Sequence, residues 1–303
     1  MPADQTVITP RNKRYLGLWL SQIRVHQWPK NLLVFVAIFA AQRLTSLEAW
    51  EQVSLTFIGF CLVCSAMYIV NDLVDVEADR MHAVKQRRPI AAGEISRKWA
   101  VIVAIAIATT GLFLGSIAGI AVFLVLVAYC IASATYTYAL KRVAIIDVFW
   151  LAGLYSWRVL AGAIAASLAI SPWLVAFSLF VFLSLALLKR HVEVGEYAAA
   201  DAIPGRGYCG GDQTFLLVFG IGTGLAATVV LALYVGSATV AAAYHQPAWL
   251  WAWPTLVLFV LARIWFRGNR GLVDDDPLRF VMRDSMSWLA AGLVAMTYCL
   301  AAV

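Results

Sequence analysis

Four acidic side chains fall within ten residues in the stretch Asn71-Asp72-Leu73-Val74-Asp75-Val76-Glu77-Ala78-Asp79-Arg80. The stretch closes a charge-free apolar run, 52–70, and leads into Lys85, Arg87, Arg88 and Pro89. At a helical period of about 100° per residue, Asn71, Asp72, Asp75 and Asp79 share one arc about 100° wide, with Glu77 opposite. A helix would present three carboxylates and an amide from one face, a donor set suited to a hard divalent cation, so these four residues are the candidate metal ligands. Lys85, Arg87 and Arg88 are cations placed for phosphate oxygens. A solvated acidic helix end would explain the composition alone. It would not explain why the cluster begins where an apolar run stops and phosphate-seeking cations follow at once.

Other unusual charges lie in the remaining polar connections. Tyr136, Tyr138, Lys141, Arg142 and Asp147 cluster in one of them. Another begins Lys189-Arg190-His191-Val192-Glu193 and runs through Glu196, Tyr197 and Asp201 to the glycine-rich 205–212. On the same period, Lys189, Arg190, Glu193, Glu196 and Tyr197 share a face about 120° wide. The glycine-rich run lacks a Walker ending and is expected to be a mobile connection or lid. Arg158 stands inside the apolar run 148–166, where facing lipid would cost several kcal/mol; it is expected to line a polar pocket, with Asp147 three helical turns away as a relay partner. Asp274, Asp275 and Asp276 before Pro277 resemble an N-cap with Pro277 in the first turn of the last helix.

The elements that must position these residues are membrane spans. The chain of 303 residues is 62% hydrophobic and 13% charged, where a soluble domain carries about 25% charge. This predicts an all-α polytopic membrane protein, one membrane-embedded domain over residues 1–303, with no nucleic-acid partner. Nine spans of about 20 residues are expected, near 30–47, 50–72, 96–115, 117–139, 144–167, 171–190, 213–236, 248–267 and 280–302. An interfacial helix over 15–29, ended or kinked at Pro29, should precede them. No small-residue cleavage site follows the basic start, so no removable signal peptide is expected. A cytoplasmic N-terminus puts every Lys and Arg except Arg43 and Arg158 on cytoplasmic segments or span ends, with the C-terminus external. The polar loops, and the site they carry, then face the cytoplasm. Gly111, Gly115 and Gly119 read as a close-packing stripe. Cys61 and Cys64 read as small packing residues.

The N-D-x-x-D-x-x-x-D pattern at Asn71, Asp72, Asp75 and Asp79, followed by R-P-I-A-A-G at 88–93, together with nine spans, resembles the UbiA-type intramembrane prenyltransferases. The resemblance covers essentially the whole chain and implies a UbiA-type bundle with a cytoplasm-facing polar cavity. It also implies Mg2+ held by acidic motifs that grip a diphosphate. The second motif of that family is D-x-x-x-D after the sixth span; this chain carries Lys189-Arg190-x-x-Glu193 instead. Gln27-Trp28-Pro29-Lys30-Asn31, Asp75 to Arg80, the Lys189-Arg190-Glu193 motif and Arg283-Asp284 resemble the branch that transfers phosphoribose to polyprenyl (decaprenyl) phosphate for arabinose-donor synthesis. What this implies is a donor, phosphoribosyl pyrophosphate, held on Asp72, Asp75 and Asp79, with Lys189 and Glu193 completing the catalytic set. Asn71, Lys85, Arg87, Arg88, Tyr138 and Arg190 would bind substrate, and Lys30, Lys141 and Arg158 would meet the lipid phosphate. Two competing functions are prenylation of an aromatic or other small acceptor by a polyprenyl diphosphate, and a transporter or lipid-binding scaffold. The first expects a second carboxylate pair. The second expects inverted repeats or interrupted spans, which are not visible here.

Overall fold

Side-chain caps and left-handed residues punctuate the apolar runs and so set the helices. The computed structural model describes residues 11–81, 84–273 and 276–302. His82, Asp274 and Asp275 lie outside the described residues. Among those described there is no strand, only an isolated bridge between Ala202 and Cys209. The described residues form two compact units, one within 1–138 with 164–167, the other within 139–163 with 168–303.

In the first unit the helices are α1 (Arg11–Gln22), α2 (Val36–Ala40), α3 (Leu47–Val74), α4 (Val76–Met81), α5 (Arg97–Ala118) and α6 (Ile120–Tyr138). Ser46 and Ser96 cap α3 and α5 through the amides of Ala49 and Trp99. Gly119, at φ +130°, separates α5 from α6 in a conformation open to glycine. Gly111 and Gly59 let α5 lie against α3. A Cβ on Gly111 would stand 2.9 Å from the Gly59 carbonyl oxygen, and one on Gly115 would stand 2.5 Å from Leu126 Cδ1. Gly111 and Gly115 of the expected stripe are therefore packing residues, whereas Gly119 meets no atom within 4 Å and serves the turn. Gly111→Leu is expected to cost about 1–3 kcal/mol through overpacking, read as a lower Tm in lipid nanodiscs.

The second unit contains α7 (Ile146–Ala165), α8 (Pro172–Val194), α9 (Gln213–Val235), α10 (Ala238–Ala243), α11 (Ala252–Asn269), α12 (Pro277–Arg283) and α13 (Ser285–Ala302). Ser171 caps α8, with Pro172 in its first turn. Ser184 on α8 donates to the Gly220 carbonyl of α9 at 2.7 Å and accepts from Trp265 Nε1 of α11 at 2.9 Å. That bond chain pins three helices at one level. Asp276 caps α12 by accepting from Arg279 N, but α12 is a separate short helix and not the start of the last span. The last span has its own cap. Asp284 accepts from Ser287 N and is gripped by both Arg263 Nε and Nη2, at 3.2 and 3.0 Å. The Arg263 hydrogen bonds hold its carboxyl down at about 2.

Among the described residues eight helices are long and apolar enough to cross a membrane, where nine spans were expected. The difference is the first of them. In place of a helix over 30–47 the chain makes a 3-10 segment, Val25–Phe35, followed by the short α2. Pro29 lacks an amide hydrogen and obstructs the carbonyl of residue 25, which disfavours α-helix there. Trp28 donates to Ser65 Oγ at 3.0 Å and Asn31 donates to Cys61 Sγ at 3.3 Å, tying the segment to α3. The 3-10 rise of about 2.0 Å per residue gives Val25–Phe35 a length of ~22 Å, and α2 adds ~8 Å.

Candidate active site

The acidic stretch does not continue as one helix. α3 ends at Val74, Asp75 takes φ −92° and ψ 7°, and α4 restarts at Val76. The shared face expected for Asn71, Asp72, Asp75 and Asp79 is therefore broken at Asp75. Val76 is buried with Ile69, Ile90 and Ile95 against Leu18, Trp19 and Ile23, an apolar contact at the first residue of α4. The same cluster brings the 88–95 turn and the end of α1 to the carboxylates. That turn is tight: Ala92 N bonds to Arg88 O, Glu94 N to Pro89 O, and Gly93 takes φ +78°.

Asp72, 2% exposed, lies at the centre. Its Oδ2 accepts from Gln22 Nε2 at 2.8 Å, and its Oδ1 accepts from Arg24 Nη2 at 2.6 Å and Arg88 Nη1 at 3.0 Å. The same Arg88 nitrogen donates to Asp79 Oδ2 at 2.6 Å. Two carboxylates thus converge on one positive atom. Burial pushes the Asp79 carboxyl above its usual range, and the Arg88 guanidinium pulls against that rise. Asp75, Asn71 and Lys85 are half-buried nearby in the chain, and Arg87 is exposed. Lys30 and Asn31 are both buried in the 3-10 segment, and Tyr138 is exposed at the end of α6. Glu77 points outward and pairs with Arg97 and Arg80.

No group of three or more His, Cys, Asp or Glu side chains that could hold a metal gathers among the described residues. The donor set that does converge is Asp72 and Asp79. Beside it is Gln22 Oε1, a buried oxygen with no hydrogen-bond donor, on the same carboxamide that donates to Asp72. These hard oxygens, with a cation already between the carboxylates, fit Mg2+, which is commonly held by one or two carboxylates plus substrate phosphates.

The second unit carries a separate network. Asp147, fully buried near the start of α7, accepts from Arg190 Nη2 at 2.5 Å and from Tyr208 Oη at 2.6 Å. Tyr208 Oη in turn accepts from Ile145 N at 2.7 Å. Burial, then the Asp147 hydrogen bond, push the Tyr208 phenol far up, so it stays protonated and donating. Arg190, at 0% exposure, also donates to Glu193 Oε2, and Arg206 Nε donates to Glu193 Oε1 at 3.3 Å. The glycine-rich connection is thereby anchored at Arg206 and Tyr208. Gly207 packs so closely that a Cβ would stand 2.6 Å from Arg142 O. A mobile connection or lid was expected there, and the segment is a strap docked through Arg206, Gly207 and Tyr208.

Lys189 and Arg190 point differently although adjacent. Lys189 lines a cleft with Leu151, Tyr155, Phe182 and Pro277, while Arg190 is enclosed in the network. α8 ends at Val194, so Glu196 and Tyr197 do not extend its face. Lys141 is buried, and its carbonyl accepts from Arg206 Nη1. Arg158 donates to Leu154 O at 2.7 Å and lies 5.0 Å over the Tyr155 ring. Asp147 gives its two oxygens to Arg190 and Tyr208, and serves them in place of the expected relay to Arg158. Sequence reasoning passed over Gln22, Arg24, Arg206, Tyr208 and Arg263. The available signals were an arginine in a segment otherwise read as interfacial and a lone tyrosine among glycines.

Residues 32–301 match the model of the UbiA prenyltransferase family. The chain is 37% identical over 297 residues to protein y4nM of Sinorhizobium fredii, covering 97% of this chain and 58% of that one. The chain thus spans little more than half the length of that relative. Nodulation protein NoeC of Azorhizobium caulinodans is 32% identical, over 91% of this chain and 92% of its own. A decaprenyl-phosphate phosphoribosyltransferase of Mycobacterium tuberculosis is 36% identical over 195 residues, 63% of this chain and 65% of its own. The fold matches that of a UbiA homologue from Archaeoglobus fulgidus solved with GPP and Mg2+, at TM-score 0.70 and 16% identity, over 94% of this chain and all of that one.

Proposed function

The chain belongs to the UbiA prenyltransferase family, and we propose that within it this membrane enzyme transfers 5-phosphoribose from phosphoribosyl pyrophosphate to a polyprenyl phosphate, releasing pyrophosphate. One observation carries the reading. Glu193, the sole carboxylate of the second motif, is engaged on both oxygens by Arg190 and Arg206. A second carboxylate pair to share a prenyl diphosphate is thus not on offer there, whereas Lys189, which lines a cleft, supplies a cation for a more anionic donor. The 36% identity to a phosphoribosyltransferase supports the same choice.

The roles fall to each unit separately. In the first, Asp72 and Asp79, with Gln22 and Asp75 as further oxygen donors, would hold Mg2+, which when bound neutralises charge growing on the departing pyrophosphate. Arg24, Arg88, Lys85 and Arg87 donate to the pyrophosphate oxygens, and Asn71 and Tyr138 belong to the same donor-binding surface. In the second, Lys189 meets an anionic group of the substrate at its cleft. Glu193 and Arg190 set the end of α8, and Lys141 and Arg158 serve the acceptor phosphate, as does Lys30 in the first unit. The C1–O bond to pyrophosphate breaks with its electron pair leaving on pyrophosphate, and a lipid phosphate oxygen forms the new bond to C1. A phosphate monoester is ionised at neutral pH, so the residues need bind and orient it but not deprotonate it. The Lys and Arg distribution supports a cytoplasmic N-terminus and a cytoplasm-facing site in the inner membrane.

Purified protein in nanodiscs with Mg2+, phosphoribosyl pyrophosphate and decaprenyl phosphate should release pyrophosphate and yield lipid-linked phosphoribose. Turnover of a prenyl diphosphate with an aromatic acid, and none of that product, would reject the assignment. Lys189→Asp is expected to lower kcat/KM by about 10²-fold or more by setting a carboxylate against an anion. Unchanged kinetics would remove Lys189 from the site.

A further inference from the structure

We propose that Arg24 and Arg88 are internal counter-cations that occupy the acidic site at rest and pass to the substrate only when metal and diphosphate arrive together. This rests on reading the Asp72–Asp79 cluster as a metal–diphosphate site.

The charges at rest balance: two carboxylates, Asp72 and Asp79, against two guanidiniums. Arg88 Nη1 stands within hydrogen-bond distance of both carboxylates that would hold a metal ion. A metal ion arriving alone must therefore displace Arg88 and leave two guanidiniums without acceptors beside a doubly positive ion. A diphosphate arriving alone meets two carboxylates whose cations are already committed. Arriving together, the ion takes the carboxylates and the phosphate oxygens take the guanidiniums, for which phosphate is a geometrically matched partner. Arg24 has a contact that survives the exchange, since its guanidinium lies 4.8 Å over the Tyr68 ring. Gln22, buried and with Oε1 lacking a donor, is the neutral oxygen that stays beside Asp72 throughout. Each ligand thereby strengthens the other, and the coupling must be reciprocal. A bare metal ion is refused, as is free pyrophosphate without metal.

The test uses Mn2+ as the metal and inorganic pyrophosphate as the diphosphate, with free Mn2+ counted by electron paramagnetic resonance over the protein in nanodiscs. For the unaltered protein, Mn2+ alone should bind weakly and pyrophosphate should tighten it by about tenfold or more, within the usual span of coupling. Arg88→Gln should bind Mn2+ alone about tenfold more tightly than the unaltered protein, with most of the pyrophosphate enhancement lost. Arg88→Lys, which keeps a cation, should restore weak binding of Mn2+ alone. Arg24→Gln gives a second route to the same result should Arg88→Gln fold poorly. Unchanged affinity for Mn2+ alone in both Gln variants overturns the exchange while leaving the site standing. Absence of Mn2+ binding in the unaltered protein even with pyrophosphate overturns the site itself.

Discussion

Asp72→Asn is expected to reduce pyrophosphate release by a factor on the order of 10³ while the protein remains folded. The substitution is isosteric and leaves Oδ1 to accept from Arg24 and Arg88. Its new amide group would face the Gln22 amide, but Gln22 can turn over and offer Oε1, which has no donor at present. The hydrogen-bond count is therefore kept and only the charge is lost. With it goes one of the two converging carboxylates, and with them the grip on a divalent ion. Glu77→Gln is the matched control. Glu77 is exposed and pairs with Arg97 and Arg80 at the surface, an arrangement worth at most about 1 kcal/mol, so its turnover should stay within about twofold. The two variants are compared in the same nanodisc assay, with folding checked by Tm. Equal activity in both would mean that the acidic stretch is a solvated helix end.

The contrast between Asp72 and Glu77 was legible in the sequence, because a 100° period already separates their faces. So was the class of fold, since charge-free runs of about 20 residues leave little else open. The interruption at Asp75 was not legible. No glycine or proline marks it, and Val76, the residue after it, buries against Ile90 and Ile95 and against α1 residues Leu18 and Trp19, which no local spacing reveals. The 3-10 segment over Val25–Phe35 was missed for a related reason: an apolar run does not distinguish 3-10 from α geometry. The ion pairs were hidden for a third reason. Arg24 and Asp72 are 48 residues apart, and Tyr208 and Asp147 are 61 apart, so no local spacing joins them. Lys189 and Arg190 read alike as positive span ends. One lines a cleft and the other is enclosed, and only packing separates the two.

That enclosure makes Asp147→Ala the most damaging change to stability. Arg190 and Asp147 are each fully buried, and removing Asp147 leaves the enclosed guanidinium with one carboxylate partner in place of two, at a cost of about 3 kcal/mol. Arg190 would keep only Glu193, and Tyr208 would lose the acceptor that docks the strap. A marked fall in Tm is expected, with earlier proteolysis between 196 and 209. Replacing both partners, Asp147→Leu with Arg190→Met, should recover most of the loss, because no charge is then buried alone. The double-mutant cycle in nanodiscs measures this directly. A cycle that recovers stability but not activity would show that Arg190 fixes the end of α8, and so the direction of Lys189, for catalysis as well as for folding. Additive losses in the cycle would mean that Asp147 and Arg190 act on stability independently of each other, and the buried pair would not be what holds the strap to α7 and α8.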